Sequence, residues 1–158
     1  MISNAVQDHY PEDVAHCYGC GRLNPQGLHI KTRWDGDETI ARFRPRPQDV
    51  AMPGFVYGGL IASLLDCHAM GTAAAAAERA AGRDIGDASA PRFVTAALRV
   101  DYLKPTPHGP ELEIRARARE VAERKVIVDA RVMADGVETA RAEVVAVRMP
   151  ASMARGAR

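Results

Sequence analysis

Residues 55–66, FVYGGLIASLLD, place three unusual features close together. Paired glycines, Gly58 and Gly59, open an apolar run, and the run ends in Asp66. A helix that starts on glycine leaves its first backbone N–H groups bare, with the positive end of the helix dipole behind them. Glycine also lets an incoming oxygen approach that backbone closely. A group that develops negative charge can be stabilised there. The competing reading is that both glycines only permit tight helix–sheet packing. Asp66 lies eight residues beyond Gly58. That is just over two turns at about 3.6 residues per turn, on a similar side of the helix. A carboxylate among Leu64, Leu65 and Cys67 is costly to bury without a partner. It is either functional or satisfied by polar groups across an interface.

Other reactive residues carry weaker signals. His68 is two positions past Asp66 and points to a different side of the helix, so it reads as a core or interface histidine. His16, Cys17, Cys20 and His29 can be assembled into a zinc site on paper. A lone C-x-x-C without a second paired set is a weak metal signal, and no metal is expected.

These residues must be positioned by a small set of elements. Residues 1–27 hold few periodic apolar positions and read as an irregular lead-in. LHIKTRW (28–34) alternates and TIARF (39–43) returns after the turn signal Asp35-Gly36, which predicts a hairpin. Arg44 to Gly54 is proline-rich loop. From Gly58 the apolar positions recur at helical steps, followed by five alanines at 73–77 and a stop at Gly82. After a polar loop at 83–92 the period becomes two. In VTAALRVDYL (94–103), Val94, Ala96, Leu98, Val100 and Tyr102 are expected on one face. ELEIRARAREVA (111–122), KVIVDARVMA (125–134) and ETARAEVVAVRM (138–149) continue as antiparallel strands, the last two joined at Asp135-Gly136. The fold class is α+β: an antiparallel sheet of about five to six strands wrapped around one long central helix. The expected layout is a lead-in over 1–27, a domain over 28–149 and a flexible tail over 150–158.

Composition narrows the function. The chain has 158 residues, 47% of them apolar, and a formal net charge of +1. It carries no electrostatic footprint for nucleic acid, and aromatics at 5% leave few stacking platforms. No apolar run approaches the ~18 residues of a membrane span, and MISNAVQDHYPED lacks the pattern of a secretory signal. Three cysteines make a disulfide framework improbable. The expectation is a cytoplasmic protein that binds neither nucleic acid nor membrane.

Three stretches, in order, resemble a known family. They are CYGCGRLNPQGLHI (17–30), PGFVYGGLIASLLD (53–66) and VTAALRVDYLKPTP (94–107). Together they are similar to hotdog-fold thioesterases of the PaaI-like group, including thioesterase superfamily members 4 and 5. The resemblance spans roughly residues 17–148. It implies a hotdog domain that pairs into a homodimer with interfacial active sites, with a tetramer also within the family's range. It implies acyl-CoA as the substrate and no cofactor, coenzyme A being part of the substrate. By the same resemblance Gly58 is an oxyanion donor and Gly59 keeps its approach open. Asp66 is the nucleophile or the general base that activates water, and Thr95, which in a dimer could come from the partner subunit, positions the water or the carboxylate. Tyr57 departs from the family's usual histidine. A phenol there can bind the thioester carbonyl or Asp66, but it supplies no imidazole that titrates near neutral pH. Arg99, Lys104, Arg115, Arg117 and Lys125 are candidate cations for the CoA phosphates. A non-catalytic or weakly active acyl-thioester binder is the alternative, and a hotdog hydratase or dehydratase, which needs the missing histidine, is a more distant one.

Overall fold

The computed structural model describes residues 4–156. Its six strands are β1 (Arg33–Asp35), β2 (Glu38–Phe43), β3 (Phe93–Tyr102), β4 (Leu112–Val121), β5 (Lys125–Ala134) and β6 (Val137–Arg148). They form one antiparallel sheet in the order β1-β2-β4-β5-β6-β3. The helix α1 (Gly58–Ala80) packs across one face of that sheet. This is the α+β arrangement the sequence predicts.

Burial explains why the helix is so apolar. Leu64, Leu65, Ala69, Ala73 and Ala74 are fully buried against the sheet residues Leu112, Ile114, Ala116, Val126 and Val128. The alanines keep the helix surface low, so the sheet can approach it closely. By length and composition α1 is apolar enough to cross a membrane, contrary to the expectation that no such run exists. However, 83% of the relevant window is buried inside the chain. The helix ends where Gly82 adopts φ +76°. Arg83 N–H donates to Glu78 C=O and Gly82 N–H to Arg79 C=O, a Schellman cap that satisfies the last carbonyls. The β5–β6 turn at Asp135 and Gly136 has φ of 49° and 76°, as a type I′ hairpin requires.

The first predicted strand is shorter than expected. Only Arg33–Asp35 pairs as β1. Leu28 and Ile30 are buried, but their N–H groups donate to the carbonyls of Tyr18 and Gly19, and Thr32 C=O accepts from Val6. The alternating segment 28–32 thus pins the lead-in rather than extending the sheet. At the other end, Ala151–Gly156 forms a 3-10 turn where a flexible tail was expected, and residues 157–158 of that tail lie outside the described residues.

A bulge shapes β3. Its pairing with β6 shifts register between Thr95 and Ala97, so one residue is extra on the β3 side. Phe93 is buried and Thr95 reaches the helix, but beyond the bulge Val100 packs on the core and Tyr102 reaches the helix. The inward face therefore switches from odd to even positions. The single face predicted for Val94 through Tyr102 is corrected to two half-faces.

Candidate active site

The helix start is held from outside. Asp49 is buried and paired with Arg46 at 3.0 Å, and its carbonyl accepts from Tyr57 N–H. Val56 N–H donates to Thr106 C=O. Tyr57 is the N-cap residue, and its side chain makes no capping bond. The first intrahelical acceptor, Tyr57 C=O, takes the N–H groups of Leu60 and Ile61. Among the described residues, the Gly58 and Gly59 N–H groups donate to nothing within the chain.

The two glycines are glycine for different reasons. A Cβ on Gly58 would meet the Tyr102 ring at 3.5 Å, an ordinary contact, so packing does not demand glycine there. A Cβ on Gly59 would fall 2.4 Å from the Tyr57 ring, which lies over it. Tyr57 is 56% exposed, and the hydrogen-bond partner recorded for Asp66 is Thr95, not Tyr57. The Tyr102 hydroxyl donates to Gly58 C=O at 2.7 Å, bracing the first helical peptide from β3. Tyr102 is a site neighbour that the strand's alternation alone does not mark, since the bulge decides which half of it faces the helix.

Asp66 sits two turns along α1, half-buried. The bulge aims Thr95 at it, and Thr95 Oγ1 donates to Asp66 Oδ1 at 2.5 Å. That threonine belongs to the same chain as Asp66. Burial raises the Asp66 carboxyl above its ordinary value of 3.8; the Thr95 hydrogen bond opposes the rise, nearby Cys17 adds to it, and Arg92 opposes it. Arg92 is a neighbour of the carboxylate that neither periodicity nor motif marks, and Cys17, although part of the C-x-x-C, carries no sequence signal of that proximity.

His68 is fully buried and belongs to a polar network, as expected of a core histidine. Its Nδ1 lies 3.0 Å from Thr32 Oγ1 and its Nε2 3.2 Å from Thr39 Oγ1. The zinc set drawn from His16, Cys17, Cys20 and His29 does not assemble: His29 Nε2 bonds Asn24 C=O, and Cys17 and Cys20 group with Cys67 instead.

A cleft of ≈ 340 Å³ opens beside the helix start, lined by Val56, Gly58, Ile61, Tyr102, Leu103 and Lys104 among others. Of the candidate cations, Lys104 lines this cleft together with Gly58. Arg115 is committed to Glu113, Asp35 and Glu38. A larger cleft of ≈ 590 Å³ lies on the opposite, solvent-facing side of the sheet. Its walls carry both signs of charge, tied into pairs such as Arg131–Glu38 and Arg119–Glu143. The polar loop 83–92 folds against Val6, Ala74 and Glu78, toward the C-terminal half of α1 and away from Gly58.

Comparisons with known proteins identify the family. The family model described as thioesterase superfamily matches residues 53–145. A thioesterase superfamily protein from Shewanella loihica PV-4 is 49% identical over 85% of this chain and 95% of its own, with a TM-score of 0.67. The E. coli PaaI protein from the phenylacetic acid degradation operon is 17% identical over 78% of this chain and 81% of its own, with a TM-score of 0.60. A Streptococcus mutans UA159 protein solved with acetyl CoA is 19% identical over 76% of this chain and 88% of its own, with a TM-score of 0.59. The last two share the fold. No curated protein matches the chain. With the family model covering more than half of its length and a near-half-identical relative spanning most of the rest, this hotdog-fold chain belongs to the thioesterase superfamily.

Proposed function

We propose that the protein hydrolyses an acyl-CoA thioester to the free acid and CoA. The observation that carries this reading is the half-buried Asp66 carboxylate, held by Thr95, on the same helix whose glycine terminus is open. The acetyl CoA bound by the S. mutans protein supports coenzyme A as the carrier. In the reaction the thioester carbonyl oxygen takes up negative charge and sits on the Gly58 N–H, with Gly59 beside it; such donors act best about 3 Å from the oxyanion. Asp66, ionised, either removes a proton from the attacking water or attacks the carbonyl carbon itself. Collapse of the tetrahedral species expels the CoA thiolate, which is then protonated, and water's oxygen ends in the acid or, in the covalent route, enters when the acyl-enzyme is hydrolysed. Lys104 lines the cleft beside Gly58 and is the cation this reading assigns to a CoA phosphate.

Helix geometry favours sites shared between two chains. Gly58 and Asp66 of one helix are about 12 Å apart along its axis. A carbonyl carbon about 4 Å from the Gly58 nitrogen and a nucleophile about 3–3.5 Å farther on do not bridge that distance by direct attack. For direct attack this favours Gly58 of one protomer working with Asp66 of the other, the interfacial arrangement that the family resemblance implies. The edge strand β3 supports such pairing, because Ala96, Ala97 and Leu98 are exposed and an unprotected edge strand invites a partner. Val50, Met52, Phe55, Tyr57 and Leu103 add exposed apolar surface around the helix start.

Tyr57 in place of histidine favours one second reading, a binder with little turnover. A thiol-release assay over acyl-CoAs of different chain length and aromaticity separates the two. Saturable turnover of at least one acyl group supports hydrolysis, and tight binding with no released thiol overturns it.

A further inference from the structure

Cys17 and Cys20 lie in the lead-in and Cys67 on α1, fifty residues from Cys17. The three Sγ atoms nevertheless all lie within 4.8 Å of one another. Cys17 and Cys67 are 3.8 Å apart. A disulfide requires ~2.05 Å. By contrast, two sulfurs on a tetrahedral zinc, with Zn–S bonds of about 2.3 Å, stand about 3.8 Å apart. The approach depends on glycine: a Cβ on Gly19 would fall 2.2 Å from Cys67 Sγ.

Two neighbours fit a bound cation. Tyr10 is 2% exposed, and its hydroxyl has no hydrogen-bond partner among the described residues. It lies within electrostatic reach of all three cysteines. A buried hydroxyl without a partner is costly, and a small ligand on a metal would satisfy it. Arg92 stacks over the Tyr10 ring at 4.9 Å and reaches the same three thiols electrostatically. A divalent ion with three thiolates carries one net negative charge, which the Arg92 guanidinium balances.

We propose that Cys17, Cys20 and Cys67 form a three-thiolate site for zinc, with the fourth position open to a small ligand near the Tyr10 hydroxyl. Binding replaces three S–H bonds by three S–Zn bonds and releases three protons; no oxidant is involved. The ion ties the lead-in to α1 at the residue next to Asp66. The inference stands apart from the hydrolysis reading, since metal content and thiol chemistry are read without substrate.

The test uses the full chain, purified reduced, equilibrated with zinc chloride and desalted. One tightly held zinc per chain is expected, with all three thiols shielded from a thiol reagent until a chelator is added. Cadmium in place of zinc should give the ultraviolet charge-transfer absorption of three thiolates. Cys67→Ala and Cys17→Ser should each weaken binding by more than the ~10–100-fold typical of outer-shell changes, and Tyr10→Phe within that range. The proposal is overturned by wild-type protein that stays folded yet holds no zinc with its thiols open. Unchanged affinity in folded Cys67→Ala overturns it too, as does a Cys17–Cys20 disulfide, seen as the loss of two hydrogens in mass, formed in preference to metal binding. Should the variants fail to fold, the cadmium spectrum of the wild type still decides.

Discussion

Asp66 titrates under opposed influences, and Thr95 is the one most easily removed. Its hydrogen bond favours the carboxylate, so it holds the pKa lower than burial alone would. Whether Asp66 acts as base or as nucleophile, it must be ionised. The acid limb of kcat/KM is therefore expected above 3.8 for the wild type, and Thr95→Val should move it to higher pH. A limb that stays in place or moves down in a pH–rate profile separates Thr95 from the carboxylate's chemistry. Tyr57 is tested by removing its hydroxyl. Tyr57→Phe should raise KM modestly, about 2–10-fold for one hydrogen bond of roughly 0.5–1.5 kcal/mol, if the phenol binds substrate. Two unchanged kinetic constants would make its ring, lying over Gly59, a packing group. At this scale Asp66 was legible because a lone carboxylate stands out in an apolar run. Cys17 and Arg92 were not, because their proximity to it is created by the fold.

The elements position these residues through contacts that periodicity reveals only in part. The helix, its glycine stop and strands β4 to β6 follow directly from their repeats. The β3 bulge does not, because one inserted residue leaves each half of the strand alternating normally; it is the bulge that turns Thr95 toward α1. The lead-in and β2 are fastened to the helix by a buried network in which Gln7, Thr32, Thr39 and Thr72 surround His68. Gly71 makes room for it, since a Cβ there would fall 2.4 Å from Thr32 Oγ1. Burial lowers the His68 pKa from 6.5 to about 4. Below pH 6.5 the unfolded chain takes up a proton that the folded chain refuses. Stability is thus complete above that pH and falls as the pH drops toward 4, by about 3 kcal/mol in total. Denaturant unfolding at several pH values should show this slope in the wild type and lose it in His68→Gln. An equal slope in the variant would assign the acid sensitivity to other groups.

The whole molecule raises the question of which chains share a site. If Gly58 of one protomer serves Asp66 of its partner, two inactive variants can rescue each other. Co-expressed Asp66→Asn and Gly58→Val chains form mixed dimers with one intact site each, so a statistical mixture should recover roughly one quarter of wild-type activity. Sites contained within one chain would give none. Chain pairing is the part of the function that a single sequence leaves least legible: periodicity identifies β3 as a strand, whereas its place at the sheet edge emerges only from the assembled order. The proposed hydrolysis depends above all on Asp66. Steady-state thiol release from the best acyl-CoA substrate, compared between wild type and an Asp66→Asn protein of unchanged circular dichroism, measures that directly. A fall in kcat of about 10²–10⁴-fold is predicted, and turnover near the wild-type rate would contradict it.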